Sequence, residues 1–102
     1  MTKEKFVFHL QKKYFSMIKC GLKNCEYRPQ ENRYKKIHML LPGDIIRFDL
    51  GYSSLKIKEK HIYKKVIYTT LTPLYELPKD VQKLYKNHDP RELFHDTKFE
   101  NI

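Results

Sequence analysis

The hydrophobic positions in the first quarter of the chain change their period once. Residues 6–10 form a short aromatic and β-branched run, FVFHL, which is typical of a strand. Over residues 11–20 the apolar side chains instead recur at helical spacing with lysines between them, which predicts an amphipathic helix that ends at Gly21. The apolar positions with helical spacing are Tyr14, Phe15, Ile18 and Leu22. The chain is therefore predicted to open with a strand followed by a helix.

Turn-forming residues divide the segment that follows this helix. Pro29 disfavours a helical conformation at the residue before it, so residues 24–28 are predicted to be extended. Residues 29–36, PQENRYKK, are polar and carry no periodicity. This pattern indicates an exposed basic loop.

Two apolar strand candidates come next, residues 37–41 and residues 45–50. The turn signal Pro-Gly-Asp at positions 42–44 separates them. Gly43 can supply a positive φ, and the carboxylate of Asp44 can accept hydrogen bonds from nearby backbone amides. We interpret both turn residues as structural, within a connection between two strands.

The second half of the chain alternates turn, strand and helix signals. Residues 51–54 indicate another turn, and residues 55–70 are rich in Ile, Val, Tyr and Thr, which predicts one long bent strand or two strands. Residues 74–87 and 90–94 are predicted to be helical, with Asp89 as the N-cap of the second helix. The tail after this second helix is expected to be frayed.

The order of these elements predicts an α+β fold. A strand, a helix and then several strands in succession favour an antiparallel sheet or small barrel with helices packed outside it. The chain has 102 residues, which leaves room for one modest core, and we expect a single domain over residues 1–102. A composition with 40% hydrophobic and 14% aromatic residues is typical of a folded chain.

The positive charge is concentrated in the first third of the chain. The formal net charge is +9, to which residues 1–36 contribute +7, residues 37–68 contribute +3 and residues 69–102 contribute −1. This asymmetry is typical of a surface that binds polyanions such as nucleic acid. A solvated, lysine-rich surface without a partner is the alternative that charge alone leaves open.

Three ionisable residues after the predicted helix form the best candidate for a site. If residues 23–28 are extended, Glu26 and Arg28 lie next to each other on one face, and Lys23 can lean over the same cleft because the glycine turn sets its direction. An acid between two cations can orient the arginine toward a phosphate or a base edge. The alternative is a surface ion pair, which stabilises a protein by only about 0–1 kcal/mol.

The basic loop interleaves cations with an aromatic residue. In a nucleic-acid binder, Arg33 and Lys35 can contact phosphates while Tyr34 stacks on an unpaired base. We therefore include these three residues in a candidate RNA-binding track. A solvated loop remains the alternative.

The remaining composition argues against several classes of protein. Two cysteines, Cys20 and Cys25, are too few for a disulfide framework, and we expect free thiols in a cytoplasmic protein. No apolar run approaches the roughly 20 residues of a membrane span or the 7–15 residues of a signal-peptide core, so no membrane partner is expected. The five histidines lack metal-ligand spacing, so we expect neither a metal nor a cofactor. The oligomeric state stays open.

Two motifs resemble those of the ASCH domain, a member of the PUA-like superfamily. The first is Gly-x-Lys-x-x-Glu-x-Arg after a helix that contains an aromatic residue and an isoleucine, and the second is Gly-Asp-x-Ile-x-Phe after a variable loop. Together they cover residues 14–48. The matching residues are Ile18, Gly21, Lys23, Glu26 and Arg28 in the first motif and Gly43, Asp44, Ile46 and Phe48 in the second.

The resemblance implies a PUA-like β-barrel of five or six mostly antiparallel strands with flanking helices. It also implies that the first motif lines a basic cleft for RNA or a nucleotide-like ligand. In that cleft Lys23 and Arg28 are expected to contact phosphate or base, while Glu26 orients Arg28. Arg33, Tyr34 and Lys35 are expected to extend the binding surface.

An enzyme of the same fold is the alternative that the resemblance leaves open. Some bacterial relatives are amidohydrolases that deacetylate acetylated cytidine with a lysine in this motif, a threonine three residues later and a downstream glutamate. Lys23 matches that lysine, but Glu26 stands in the place of the threonine and cannot supply its hydroxyl. Other family members are associated with RNA cleavage. A nucleoside amidohydrolase or a ribonuclease centred on Lys23 and Glu26 is therefore the second hypothesis.

Overall fold

A computed structural model describes residues 3–51 and 61–102 of the chain. Within these residues, five strands are joined by two α-helices and two 3₁₀ helices. The strands are β1 (Phe6–Leu10), β2 (Cys25–Pro29), β3 (Ile45–Leu50), β4 (His61–Pro73) and β5 (Leu93–Glu100). The helices are α1 (Lys12–Lys19), α2 (Lys79–Leu84) and the 3₁₀ helices η1 (Asn32–Met39) and η2 (Leu74–Glu76).

The five strands form one curled, half-barrel sheet in the order β1-β3-β4-β5-β2. β1 pairs with β3 in parallel, and the other three pairings are antiparallel. β1 and β2 are therefore the two outer strands of this sheet. The predicted α+β class is confirmed, since helices and a largely antiparallel sheet share one small domain.

Two groups of buried apolar side chains hold the helices against the sheet. The larger group joins α1 and η1 to the strands, and the smaller group joins η2 and α2 to β5. The larger group consists of Phe8, Leu10, Phe15, Ile18, Ile37, Leu40, Ile46, Phe48, Val66 and Phe99. The smaller group consists of Leu74, Leu77, Val81 and Phe94. Burial of these side chains provides the main driving force for folding.

The first part of the chain folds as the sequence predicts. β1, α1 and β2 occupy the expected positions, and Gly21 takes a positive φ of 85° where the helix ends. The turn before β3 also matches, because Gly43 has a φ of 93° and the Asp44 carboxylate accepts a hydrogen bond from the Leu41 amide at 2.9 Å. These turns depend on local geometry, which the sequence specifies directly.

The prediction of a loop over residues 29–36 and a strand over residues 37–41 is wrong. η1 covers most of this stretch, so the turn at Gly43 joins a 3₁₀ helix to β3 rather than two strands. In a 3₁₀ helix, side chains three residues apart lie on the same side. Ile37, at the end of η1, and Leu40, which follows it, are three apart and both buried in the larger core.

The prediction for the C-terminal residues is also wrong. The segment from residue 90 onward is not a helix with a frayed tail, because β5 lies inside the sheet between β4 and β2. His95, Thr97 and Phe99 alternate along β5 and are almost completely buried. The helix predicted over residues 74–87 is instead η2 and α2, which are separated by Pro78.

The strand predicted over residues 55–70 is confirmed where the structure describes it. β4 is one strand that begins at His61 and continues to Pro73. The predicted turn at 51–54 is described only at Gly51, which has a φ of 88°. Residues 52–60 lie outside the described part of the chain.

Candidate functional site

The outer strand β2 and the turn before it bring the three predicted ionisable side chains together. Glu26 and Arg28 alternate on one face of β2, as expected, and their relative exposures are only 7% and 8%. The turn after α1 is closed by hydrogen bonds from the amides of Leu22 and Lys23 to the Met17 carbonyl. It directs the Lys23 ammonium to 3.2 Å from Oε1 of Glu26.

Arg28 is bound tightly by the protein itself. Its Nε and Nη2 atoms donate to the same Glu26 oxygen, Oε2, at 2.9 and 2.6 Å. The guanidinium also lies 5.4 Å from the ring centroids of both Phe8 and Tyr34. Burial by itself lowers the pKa of Arg28. The charge and the hydrogen bonds of Glu26 act in the opposite direction and outweigh burial, so the net shift is upward. Arg28 therefore stays charged inside the fold.

The same guanidinium connects the two outer strands of the sheet. Nη2 of Arg28, on β2, donates to the backbone carbonyl of His9, on β1, at 3.2 Å. Nη1 lies 3.4 Å from the Tyr34 hydroxyl on η1. Arg28 thus joins β1, β2 and η1. Its side chain connects the two outer strands of the half-barrel, and most of its N–H donors already bond to acceptors of the protein.

Lys23 is better placed than Arg28 to contact a ligand. Its ammonium lies 5.8 Å from the ring centroid of Tyr14 and 5.3 Å from that of Tyr27. Contact with aromatic faces favours a cation in a partly buried position. Because an ammonium has three N–H donors, Lys23 can contact Glu26 and a ligand at the same time.

A cavity of about 320 Å³ opens beside these charged groups. Its walls come from α1, β2, η1 and α2, and four tyrosines line it. The ionisable side chains on its walls are Lys23, Arg28, Arg33, Glu26 and Asp80. The tyrosines are Tyr14, Tyr27, Tyr34 and Tyr85. The cavity therefore combines a small positive excess with aromatic surface, at the lower end of the volume range of small-molecule sites.

Two of the tyrosines present protonated hydroxyl groups. Burial raises the pKa of Tyr27 and of Tyr85 above the usual value of a phenol. Both side chains are therefore neutral at neutral pH. Each has an apolar ring and a hydroxyl that can donate a hydrogen bond.

The structure separates the three predicted loop residues. Arg33 and Tyr34 line the cavity, and the Arg33 guanidinium lies 4.7 Å from the Tyr34 ring centroid. Arg33 also pairs with Glu31 at 3.0 Å. Lys35 lines a different, smaller cavity. Five of the six predicted ligand-binding residues thus share one cavity, and Lys35 is the exception.

Sequence reasoning missed most of the cavity wall, eight of its thirteen lining residues. The helical spacing predicts only that Tyr14 lies on one face of α1, and no pattern in the sequence connects Asp80 or Tyr85 to β2. α2 and the residue that follows it bring Val81 and Tyr85 to the cavity from the distant C-terminal part of the chain. The helical spacing of Val81 and Tyr85 predicts a shared face, but it does not predict what that face covers.

No group of three His, Cys, Asp or Glu side chains that could hold a metal ion occurs in residues 3–51 and 61–102. Both cysteines are free. None of the helices in this part of the chain is long and apolar enough to cross a membrane.

Comparison with known proteins supports the fold. No protein-family model and no curated protein matches the chain. Among solved structures, the chain is similar to the crystal structure of the hypothetical protein PH0355, with a TM-score of 0.63 and 20% sequence identity. The match covers 95% of this chain and 98% of that chain. At this identity the likeness shows a shared small α+β fold.

Proposed function

We propose that this chain is an ASCH-type domain of the PUA-like superfamily that binds RNA or a nucleotide-like ligand in the cavity beside β2. The observation that carries the proposal is the convergence of Lys23, Glu26 and Arg28 on one tyrosine-lined cavity. These are the ionisable residues of the Gly-x-Lys-x-x-Glu-x-Arg motif. Three ionisable groups pointing apart into solvent would have favoured a solvated surface instead.

The chemistry of the cavity walls suits a nucleotide. Aromatic rings can stack on a base, and such stacking contributes about 1–3 kcal/mol for each base. The Lys23 ammonium and the exposed Arg33 guanidinium can contact a phosphate. Glu26 holds both Lys23 and Arg28 and can accept a hydrogen bond from a base amino group with a remaining lone pair.

The charge distribution supports the same class of ligand. The cavity is formed mainly by the first third of the chain, where the net charge is +7. A basic region attracts nucleic acid, because each neutralised phosphate releases condensed counterions. The free cysteines fit a reducing, intracellular setting for this function.

Binding measurements on matched lysine variants test the proposal. We expect the wild-type chain to bind mononucleotides and single-stranded RNA in calorimetric or anisotropy titrations, more weakly as salt rises from about 50 to 200 mM. Lys23→Gln is expected to weaken this binding about tenfold to a hundredfold, because a charge-assisted hydrogen bond contributes roughly 1.5–3 kcal/mol.

Lys19→Gln is the matched control. Lys19 is the last residue of α1, four positions before Lys23, and it is exposed and does not line the cavity, so its substitution removes an equal charge near the site. Equal binding by the two variants, or no binding by the wild type, would contradict the proposal.

The second hypothesis, an enzyme of this fold, is decided by the same proteins. The 3.2 Å contact between Lys23 and Glu26 is the acid–base pair on which catalysis could depend. Acetylated cytidine and a labelled RNA are incubated with the wild type and with Lys23→Gln, and products are separated by chromatography. Turnover that disappears in Lys23→Gln would replace the binding-module proposal with the enzyme.

A further inference from the structure

A second cavity lies against η1. Its volume is about 200 Å³, and polar side chains line it. η1 contributes to the walls of both cavities, with Arg33 and Tyr34 in the first and Lys35 in the second. The full lining of the second cavity consists of Gln30, Glu31, Asn32, Lys35, His38 and His95. We call it the His95 cavity.

His95 gives this cavity a group that needs a hydrogen-bond partner. Its relative exposure is 3%, and its Nδ1 atom is buried without a partner in the part of the chain that the structure describes. A buried polar atom without a partner is unfavourable, because it has lost its contacts with water. A ligand in the cavity that reaches this nitrogen with a suitable donor or acceptor would restore such a contact.

The His95 ring is a neutral hydrogen-bonding group. Burial and the nearby His38 both lower the pKa of His95 below the usual histidine value, so the ring is uncharged at neutral pH. A neutral imidazole has one donor and one acceptor nitrogen. The side-chain amides of Gln30 and Asn32 also both donate and accept. This set of groups matches the edge of a nucleobase better than it matches a bare anion.

Residues that line the two cavities are neighbours on one face of the sheet. Arg28 on β2 and His95 on β5 are directly paired residues of antiparallel strands. Paired residues project from the same face of the sheet, and their Cα atoms are about 4.5–5.5 Å apart. Arg28 lines the first cavity and His95 lines the second. Each cavity is also lined by one cation of η1, which is Arg33 in the first cavity and Lys35 in the second.

We propose that the His95 cavity binds the nucleotide adjacent to the one in the first cavity, so that the ligand is single-stranded RNA of at least two nucleotides. This inference rests on the proposed function and specifies its substrate class. The base in the His95 cavity would contact the His95 imidazole and the amide side chains. The backbone would cross η1, where Arg33 and Lys35 can contact phosphates. Lys35, which does not line the first cavity, would thereby become part of the binding surface.

The test compares mononucleotides with trinucleotides of each base at one salt concentration. We expect trinucleotides to bind at least tenfold more tightly than mononucleotides. His95→Phe keeps a ring of similar size and changes no charge at neutral pH, so it leaves long-range electrostatics unchanged. It is expected to remove most of the gain in affinity with chain length. His88→Phe is the control, because His88 lines neither cavity.

A pair of lysine variants keeps the test decisive if His95→Phe does not fold. Lys35→Ala is expected to weaken trinucleotide binding more than Lys36→Ala, since Lys36 is exposed on the same 3₁₀ helix but lines neither cavity. In the wild type, the ¹⁵N resonances of the His95 ring should shift with a trinucleotide and not with a mononucleotide.

The outcomes separate this inference from the function on which it rests. If mononucleotides bind through Lys23 and trinucleotides bind no more tightly, the His95 cavity is not a nucleotide site and only this inference fails. A length-dependent gain that survives both His95→Phe and Lys35→Ala has the same meaning. If neither mononucleotides nor trinucleotides bind, the proposed function fails together with it.

Discussion

Two carboxylate–arginine clusters in this domain have a buried carboxylate and the same local geometry, but they differ in their surroundings. Glu26 and Arg28 alternate on β2, and Arg47 and Asp49 alternate on β3. In each cluster one guanidinium donates two hydrogen bonds to the carboxylate two residues away. The β2 cluster faces the tyrosine-lined cavity.

Protein groups complete the β3 cluster. Nδ1 of His61 lies 2.5 Å from Oδ1 of Asp49, which is fully buried, and Arg47 also pairs with Glu4 at 2.7 Å. In the β2 cluster, by contrast, Lys23 adds a positive charge beside open space. The difference teaches that a buried ion pair indicates a binding site only when donors remain for a ligand.

The two-residue spacing between an arginine and a carboxylate does not by itself indicate a binding site. All four arginines of the sequence lie two residues from a carboxylate, which is buried in two of these pairs and exposed in the other two. The exposed pairs are Glu31 with Arg33 and Asp89 with Arg91. These exposed pairs offer matched controls for the buried ones.

Removal of Arg28 is expected to have the largest effect. Arg28→Ala leaves Glu26 buried without its arginine and breaks the contact from β2 to the His9 carbonyl, so the free energy of unfolding should fall by about 3–5 kcal/mol. Arg47→Ala should cost less, because the Arg47 side chain is 24% exposed and His61 still contacts Asp49. Urea denaturation followed by circular dichroism measures both.

A double variant separates lost closure from an unpaired charge. Glu26→Gln combined with Arg28→Met removes both charges and keeps side chains of similar length, so it should recover part of the stability lost in Arg28→Ala. A loss below about 1 kcal/mol for Arg28→Ala would show that Arg28 does not hold the two outer strands together.

Acid is expected to weaken the β3 cluster through Asp49. Burial alone raises the pKa of Asp49, but hydrogen bonds and charges from Arg47 and His61 outweigh burial and lower it. Since the pKa is lower in the folded chain than in the unfolded one, the cluster stabilises the fold above the ordinary carboxylate pKa near 4. That stabilisation is lost as the pH falls below this value toward the pKa of folded Asp49.

Asp49→Asn tests this assignment. The variant should be about 1–3 kcal/mol less stable than the wild type at pH 7, because a charge-assisted hydrogen bond is lost. Its free energy of unfolding should also fall less steeply below pH 4. Parallel acid limbs in the two proteins would mean that another group causes the acid sensitivity.

One tyrosine lies beside each cluster, so the two clusters can also be compared by their effect on RNA binding. Tyr14 lines the cavity next to Lys23, whereas Tyr63 lies beside Arg47 and is 40% exposed. Tyr14→Leu should weaken RNA binding by about fivefold or more, because loss of one stacked ring costs about 1–3 kcal/mol. Tyr63→Leu should leave binding unchanged. Equal losses of affinity for the two variants in anisotropy titrations would mean that Tyr14 does not stack on the RNA.

The sequence predicted the β2 cluster because its geometry is local. Alternation along an extended segment places Glu26 and Arg28 on one face, and a glycine turn returns Lys23 toward them. The cavity could not be predicted in the same way. Asp80 and Tyr85 reach the cavity only because their segment packs against β5, which pairs with β2. Such long-range packing leaves no periodic signal in the sequence.

Local signals also misled where tertiary contacts decided the structure. Asp89 followed by proline is a helix-start signal, and the Asp89 carboxylate does accept a hydrogen bond from the Arg91 amide at 2.8 Å. The bond closes a turn, however, and β5 begins at Leu93 because a place in the sheet between β4 and β2 gives its backbone hydrogen-bond partners. Sheet pairing outweighed a cap of about 1 kcal/mol.

The smallest expected effect distinguishes the two exposed ion pairs. Arg33 and Arg91 each contact the acid two residues before them, and their side chains are 70% and 85% exposed. Removing either arginine should change the free energy of unfolding by less than about 0.5 kcal/mol. Only Arg33 lines the cavity. Arg33→Ala should therefore make the negative slope of log affinity against log salt shallower by about 1, the change expected for one lost phosphate contact.

Arg91→Ala is the control for that slope, since it removes the same charge from the same kind of exposed pair outside the cavity. An equal decrease in the two variants would mean that RNA responds to net charge alone. The difference between the two arginines would then have no bearing on binding, and the β2 cavity would lose its electrostatic support as the site of contact.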